Sequence, residues 1–105
     1  MILLPSAEVG IEEMRESIAE RNRILAGKKG PVLVDMRGIL SMSREAREFG
    51  ASHEHAEKVS ALALLEGSAL GKIIGNIFIN FNRPSVPTRM FTTEEEAISW
   101  LKRFL

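Results

Sequence analysis

Two segments of this chain, Pro31-Val32-Leu33-Val34-Asp35-Met36 and Ala61-Leu62-Ala63-Leu64-Leu65, are apolar on both of their alternating faces. A strand wetted on one side alternates apolar and polar residues. One that is apolar on both sides belongs to a parallel sheet covered by other elements. Parallel neighbours cannot be joined by a hairpin, so each pair needs a long crossover between them. That requirement constrains the fold more than any other feature of the sequence.

The connecting segments meet it, because their period is helical. Ile11, Met14, Ile18 and Leu25 share a helix face, Glu12 and Glu13 suit its positive N-terminal end, and Gly27 offers a stop. Ser43 caps a second helix carrying Ala46, Phe49 and Ala56, with Gly50 weakening its middle. The clearest stripe is Leu70, Ile73, Ile74, Ile77, Phe78 and Phe81, preceded by Ser68 as cap and ended by Arg83-Pro84. A capping box, Thr93 with Glu96, starts a last helix with Ala97, Ile98, Leu101, Phe104 and Leu105. Val86–Phe91, beginning beside a proline, reads as an edge strand, and Ile2–Leu4 as a very short one.

The order is therefore (β)-α-β-α-β-α-β-α, which predicts an α/β domain with a mainly parallel sheet and right-handed crossovers. The 105 residues form a single domain, 1–105, with no repeat or linker. Fourteen basic and fourteen acidic side chains cancel, which argues against nucleic acid or an anionic membrane as a bulk electrostatic partner. The apolar runs are too short to insert in a membrane, and Met1–Leu4 is too short for a signal-peptide core. The absence of cysteine excludes disulfides and thiolate sites and fits a cytoplasmic protein.

Three stretches carry a family likeness: Val32-Leu33-Val34-Asp35-Met36-Arg37-Gly38-Ile39, Ser43-Arg44-Glu45-Ala46-Arg47, and Pro87 through Leu101 with its Phe91-Thr92-Thr93-Glu94-Glu95-Glu96 core. They resemble the bacterial SpoIIAA-like proteins of the STAS superfamily, over about residues 6 to 105. That superfamily includes anti-sigma-factor antagonists and the cytoplasmic domains of sulfate transporters. The resemblance implies a four-turn β-α superhelix, which agrees with the element order. It also implies a regulatory, protein-binding role without enzymatic activity. Two departures stand out. Antagonists carry an Asp-Ser-Ser-Gly-like stretch with a phosphorylated serine at the start of the second helix, and here Arg44 takes the phosphoacceptor position. Relatives also have a hairpin or longer strand before the first helix, where this chain offers Met1–Leu4.

Candidate chemistry is sparse. Asp35 and Arg37 sit at the carboxyl end of a central strand, where open α/β sheets place ligand crevices. Ser68, Ala69 and Leu70 begin the helix beside them. Two readings stand. Either Asp35 pairs with Arg37 while Ser68 caps, or Arg37, the Ser68 hydroxyl and the Ala69 and Leu70 N–H groups seat an anion. In the second, an acyl tail would run along Ile73, Ile77 and Trp100. His53 and His55 point to different sides of a helix and do not chelate together. No serine lies in a nucleophile elbow, Gly71-Lys72 lacks a phosphate-binding loop, and Glu94–Glu96 compensates a helix dipole.

The sequence thus predicts a non-enzymatic interaction module with no cofactor. The alternative is a carrier of a small apolar or acyl ligand, from the superfamily's likeness to CRAL-TRIO folds and the apolar third helix. A homodimer is expected, because the first edge of the sheet is short and helices in such a fold cover mainly one face of a sheet that is apolar on both.

Overall fold

The computed structural model describes residues 2–3, 8–24, 26, 28–52 and 56–105, the first two by their backbone. Four strands form a parallel sheet: β1 (Ile2–Leu3), β3 (Gly30–Asp35), β5 (Val59–Leu65) and β6 (Thr88–Phe91), lying side by side in chain order. A second, two-stranded parallel sheet joins β2 (Glu8–Val9) to β4 (Ser41–Met42). Helices α1 (Ile11–Ile24), α2 (Arg44–Gly50) and α3 (Ala69–Ile77) are the crossovers, and α4 (Glu94–Leu101) follows β6. The result is the expected four-turn β-α succession with a mainly parallel sheet.

Alternation along the central strands assigns the two faces. Val32, Leu62 and Leu64 meet Met14 and Ile18 of α1, Ala46 of α2, and Ile74 and Phe78 on the other side of the core. Leu33, Ala61, Ala63 and Leu65 point the opposite way, where Ala97 and Leu101 of α4 cover them together with Phe91, Trp100 and Phe104. Both faces are therefore clothed. One of the two grounds for expecting a homodimer, an apolar face left bare, is thereby removed by α4; the short first edge, β1, remains.

At the amino ends of the strands, Arg21 reaches in from α1. It is 7% exposed, and its Nη2 donates to the carbonyls of Lys58 at 2.6 Å and Gly30 at 3.4 Å. The guanidinium thus fastens α1 to the starts of β3 and β5, where carbonyls and amides would otherwise fray. Burial lowers its pKa from the ordinary arginine value.

Local signals place the helix starts as read from the sequence. Ser43 Oγ accepts from the Ala46 amide at 3.1 Å, Ser68 Oγ from Gly71 at 3.0 Å, and Thr93 Oγ1 from Glu96 at 3.3 Å. Helix α2 differs from expectation: it ends at Gly50, with the Ala51 amide bonded to the Arg47 carbonyl at 3.1 Å, so Ala56 is not on it. Leu25, Gly27, His53 and His55 lie outside the described residues.

Candidate functional site

The sequence singles out the carboxyl ends of β3 and β5, and there the structure gathers Asp35, Arg37 and the loop into α3. Asp35 Oδ1 accepts from the Arg37 amide at 3.0 Å and from its Nε at 3.0 Å, while Oδ2 accepts from Nη2 at 2.7 Å. The arginine fork is thus fully turned onto its neighbour two residues back. These bonds hold the Asp35 carboxyl below its ordinary pKa against the opposing effect of burial, and they raise that of Arg37, with Glu94 adding to the field. The Arg37 side chain also lies along Gly67, its Cγ 3.1 Å from where a β-carbon would be. Ser68 is the α3 cap, and Ala69 and Leu70 occupy the first turn. Of the two readings left open by the sequence, the paired and capped arrangement is the geometry present.

The apolar path proposed for a tail is not continuous. Trp100 packs against Phe91 and Phe104, with ring centroids 5.6 and 4.9 Å apart, on the α4 side of the sheet. Ile73 and Ile77 are on the outer side of α3, 55% and 39% exposed. The central sheet separates the two groups.

Helix α3 explains that outcome. Its predicted stripe was centred on Leu70, Ile73, Ile74, Ile77, Phe78 and Phe81, yet the buried positions are Gly71, Ile74, Gly75 and Phe78. The helix settles on its two glycines, four residues apart and hence on one face. A β-carbon at Gly71 would stand 3.2 Å from Ser68 Oγ and 3.6 Å from Ile39 Cγ2; one at Gly75 would overlap Met90 Sδ. Seated this way, the helix rotates half of its apolar stripe outward. Leu70 at 41%, Ile73, Ile77 and Phe81 at 73% form an exposed ridge. The glycine pair was visible in the sequence and carried the signal; apolar periodicity alone includes the buried Ile74 and Phe78 but centres the buried face too far toward Ile73 and Ile77.

The ridge ends in an unusual turn. From Phe78 to Asn82 the helix widens to π geometry, and Arg83 closes it in the left-handed region at φ 47° before Pro84. Such widenings recur at functional positions. Arg47 holds this one from α2: its Nε donates to Asn82 Oδ1 at 3.2 Å and its Nη1 to the Met42 carbonyl at 2.9 Å. Phe78 is thereby kept in the core and Phe81 in solvent.

Beneath α1 and α2 lies an apolar cavity of about 40 Å³, walled by Met14, Met36, Met42, Gly50, Leu62 and Phe78 among others. Among the described residues, no group of three histidine, aspartate or glutamate side chains is placed to hold a metal ion. No helix among them is long and apolar enough to cross a membrane.

This architecture, a parallel sheet wound by successive β-α units, is the SpoIIAA-like α/β fold. A solved structure from Shewanella loihica PV-4 shares it: an uncharacterized protein of the DUF3478 family, described as having a SpoIIAA-like fold, with a TM-score of 0.61 at 19% identity. The alignment covers 90% of this chain and 77% of that one. The chain itself belongs to the family described as "Domain of unknown function (DUF7793)", whose model matches residues 1–105. A search of curated proteins finds no significant match.

Proposed function

We propose that the chain is a non-enzymatic, regulatory protein-interaction module that docks through the outer face of α3 and its π turn. The observation that carries this reading is the ridge of Leu70, Ile73, Ile77 and Phe81, four large apolar side chains at 39% exposure or more along one side of a short helix. Scattered apolar residues on a surface are ordinary, but a contiguous ridge marks an interaction site. Helix-in-groove recognition uses anchors at this spacing. The SpoIIAA-like fold, shared with anti-sigma-factor antagonists, supports a regulatory context.

A photo-crosslinking amino acid placed at Ile73, and as a control at exposed Glu16 on α1, tests the reading in the native cell. A discrete heavier adduct formed from position 73 and not from position 16 is the expected result. The absence of an adduct from 73, or the same pattern from both, would overturn it.

A second reading, a carrier of a small apolar ligand, draws support from the cavity under α2. Its walls are apolar, and three methionines give them compliance. At about 40 Å³ it is far smaller than the roughly 150 Å³ that admits benzene in an engineered protein core. It suits a compact molecule better than an acyl chain. Xenon-induced chemical-shift changes at the Met14, Met36 and Met42 methyl groups would support this reading, and unchanged shifts would exclude it.

A further inference from the structure

The charges of the segment that carries the α3 ridge are one-sided. Between Glu66 and Glu94 the sequence contains Lys72, Arg83 and Arg89 and no acidic residue, in a chain whose charges otherwise balance. Folding adds to this imbalance. Arg47, from α2, is bonded to Asn82 at the end of the π turn, which brings a further cation to the segment that carries Phe81 and Arg83. The ion pairs among the described residues engage Arg23, Arg37 and Arg44, and they leave Lys72, Arg47 and Arg83 without a carboxylate. The ridge is thus an apolar strip with Lys72 on the flank of its helix and Arg83 and Arg47 at its end.

We infer that the partner of this face is a protein surface with an apolar groove rimmed by carboxylates, with Phe81 as the anchor in the groove. This rests on the docking role given above to α3. A groove supplies what the ridge lacks, since a half-exposed helix face gains burial only against walls on both sides. Phe81, the most exposed ridge residue, precedes Asn82, whose side chain Arg47 ties to α2. The rim has to be acidic because Lys72 and Arg83 lose water when the groove closes and need opposite charge in return. The same cations disfavour a second copy of the chain.

The test uses the full chain, isotopically labelled, and two designed amphipathic helices with the same leucine face. One is flanked by glutamates and the other by lysines. The glutamate helix should shift resonances of Leu70, Ile73, Ile77 and Phe81, bind at least about tenfold more tightly than the lysine helix, and weaken as salt is added. Phe81→Ser should abolish that binding without unfolding the chain, since the ring is in solvent. A Lys72→Glu, Arg83→Asp variant should reverse the preference; aspartate tolerates the left-handed backbone at position 83. Equal binding of both helices at the ridge would overturn the acidic rim and leave the docking role standing. Binding of neither, or binding away from α3, would overturn both. Tighter, Phe81-dependent binding to anionic phosphatidylglycerol vesicles than to the glutamate helix would overturn the inference in favour of a lipid surface.

Discussion

Gly75 lies directly over Met90, with the methionine sulfur in the space that a β-carbon on the glycine would need. This contact joins α3 to the edge strand β6 and decides which side of the helix faces in. Gly75→Ala gains helix propensity of up to about 1 kcal/mol but forces Met90 aside, a strain of about 1–3 kcal/mol in a packed core. A net loss of about 1 kcal/mol in chemical denaturation is expected. In a double-mutant cycle with Met90→Ala the two changes should couple by at least about 0.5 kcal/mol, because the smaller side chain vacates the contested space.

Gly50 should behave in the opposite way. Its β-carbon would stand 3.3 Å from Phe78 Cε1 and 3.9 Å from the Met14 methyl, beside the 40 Å³ cavity into which the ring can yield. Gly50→Ala therefore combines better helix propensity with partial filling of a void. A gain of about 0.5–1 kcal/mol is expected by thermal or urea unfolding. A loss would mean that Phe78 has no room to move.

The Asp35–Arg37 pair sets a pH dependence. The Asp35 carboxyl is held below its ordinary value chiefly by the Arg37 side-chain hydrogen bonds. Its contribution to stability is therefore complete above the unfolded-state carboxylate pKa and is lost as pH falls through the depressed folded value. The difference in stability between the wild type and Asp35→Asn should be constant near neutrality and shrink in the acid range. An unchanged difference down to full protonation would show that the carboxylate is not engaged in solution.

Ser43 is committed to structure. Its Oγ caps α2 by accepting the Ala46 amide, and Ser43→Ala should cost about 1 kcal/mol. The family likeness puts Arg44 at the antagonists' phosphoacceptor position, and here Arg44 is paired with Glu48 at 2.9 Å. Incubation with a serine kinase of the anti-sigma-factor type should leave Ser41 and Ser43 unmodified by mass spectrometry. Stoichiometric phosphate on either would restore the antagonist switch to this chain.

Much of the architecture was legible because it rests on local rules. The double-sided apolar runs of β3 and β5 dictated a covered parallel sheet, and Ser43, Ser68 and Thr93 marked helix starts by side-chain chemistry that needs no tertiary information. The two-residue strands β2 and β4 are too short to show any period. The placement of α4 was hidden for another reason: a capping box says where a helix begins, not which side of the sheet it returns to. At the carboxyl edge, sequence separation alone made Asp35 and Arg37 neighbours, and the rotamers that join them carry no sequence signal. The ridge on α3 is not legible in the apolar pattern alone, because Gly71 and Gly75 fix the helix's seating through contacts with distant residues.

Strand β5 directs Ala61 and Ala63 toward α4 and Leu62 and Leu64 toward the crossover helices. Small residues let α4 press close to the sheet, while the larger ones hold the other layer away and leave it with an apolar void walled in part by methionines. The two halves of the domain therefore differ in compressibility. Hydrostatic pressure, which acts on internal voids, should shift the resonances of Met14, Met36 and Phe78 well before those of Ala97 or Trp100. The layer expected to yield first to pressure is the one that carries α3.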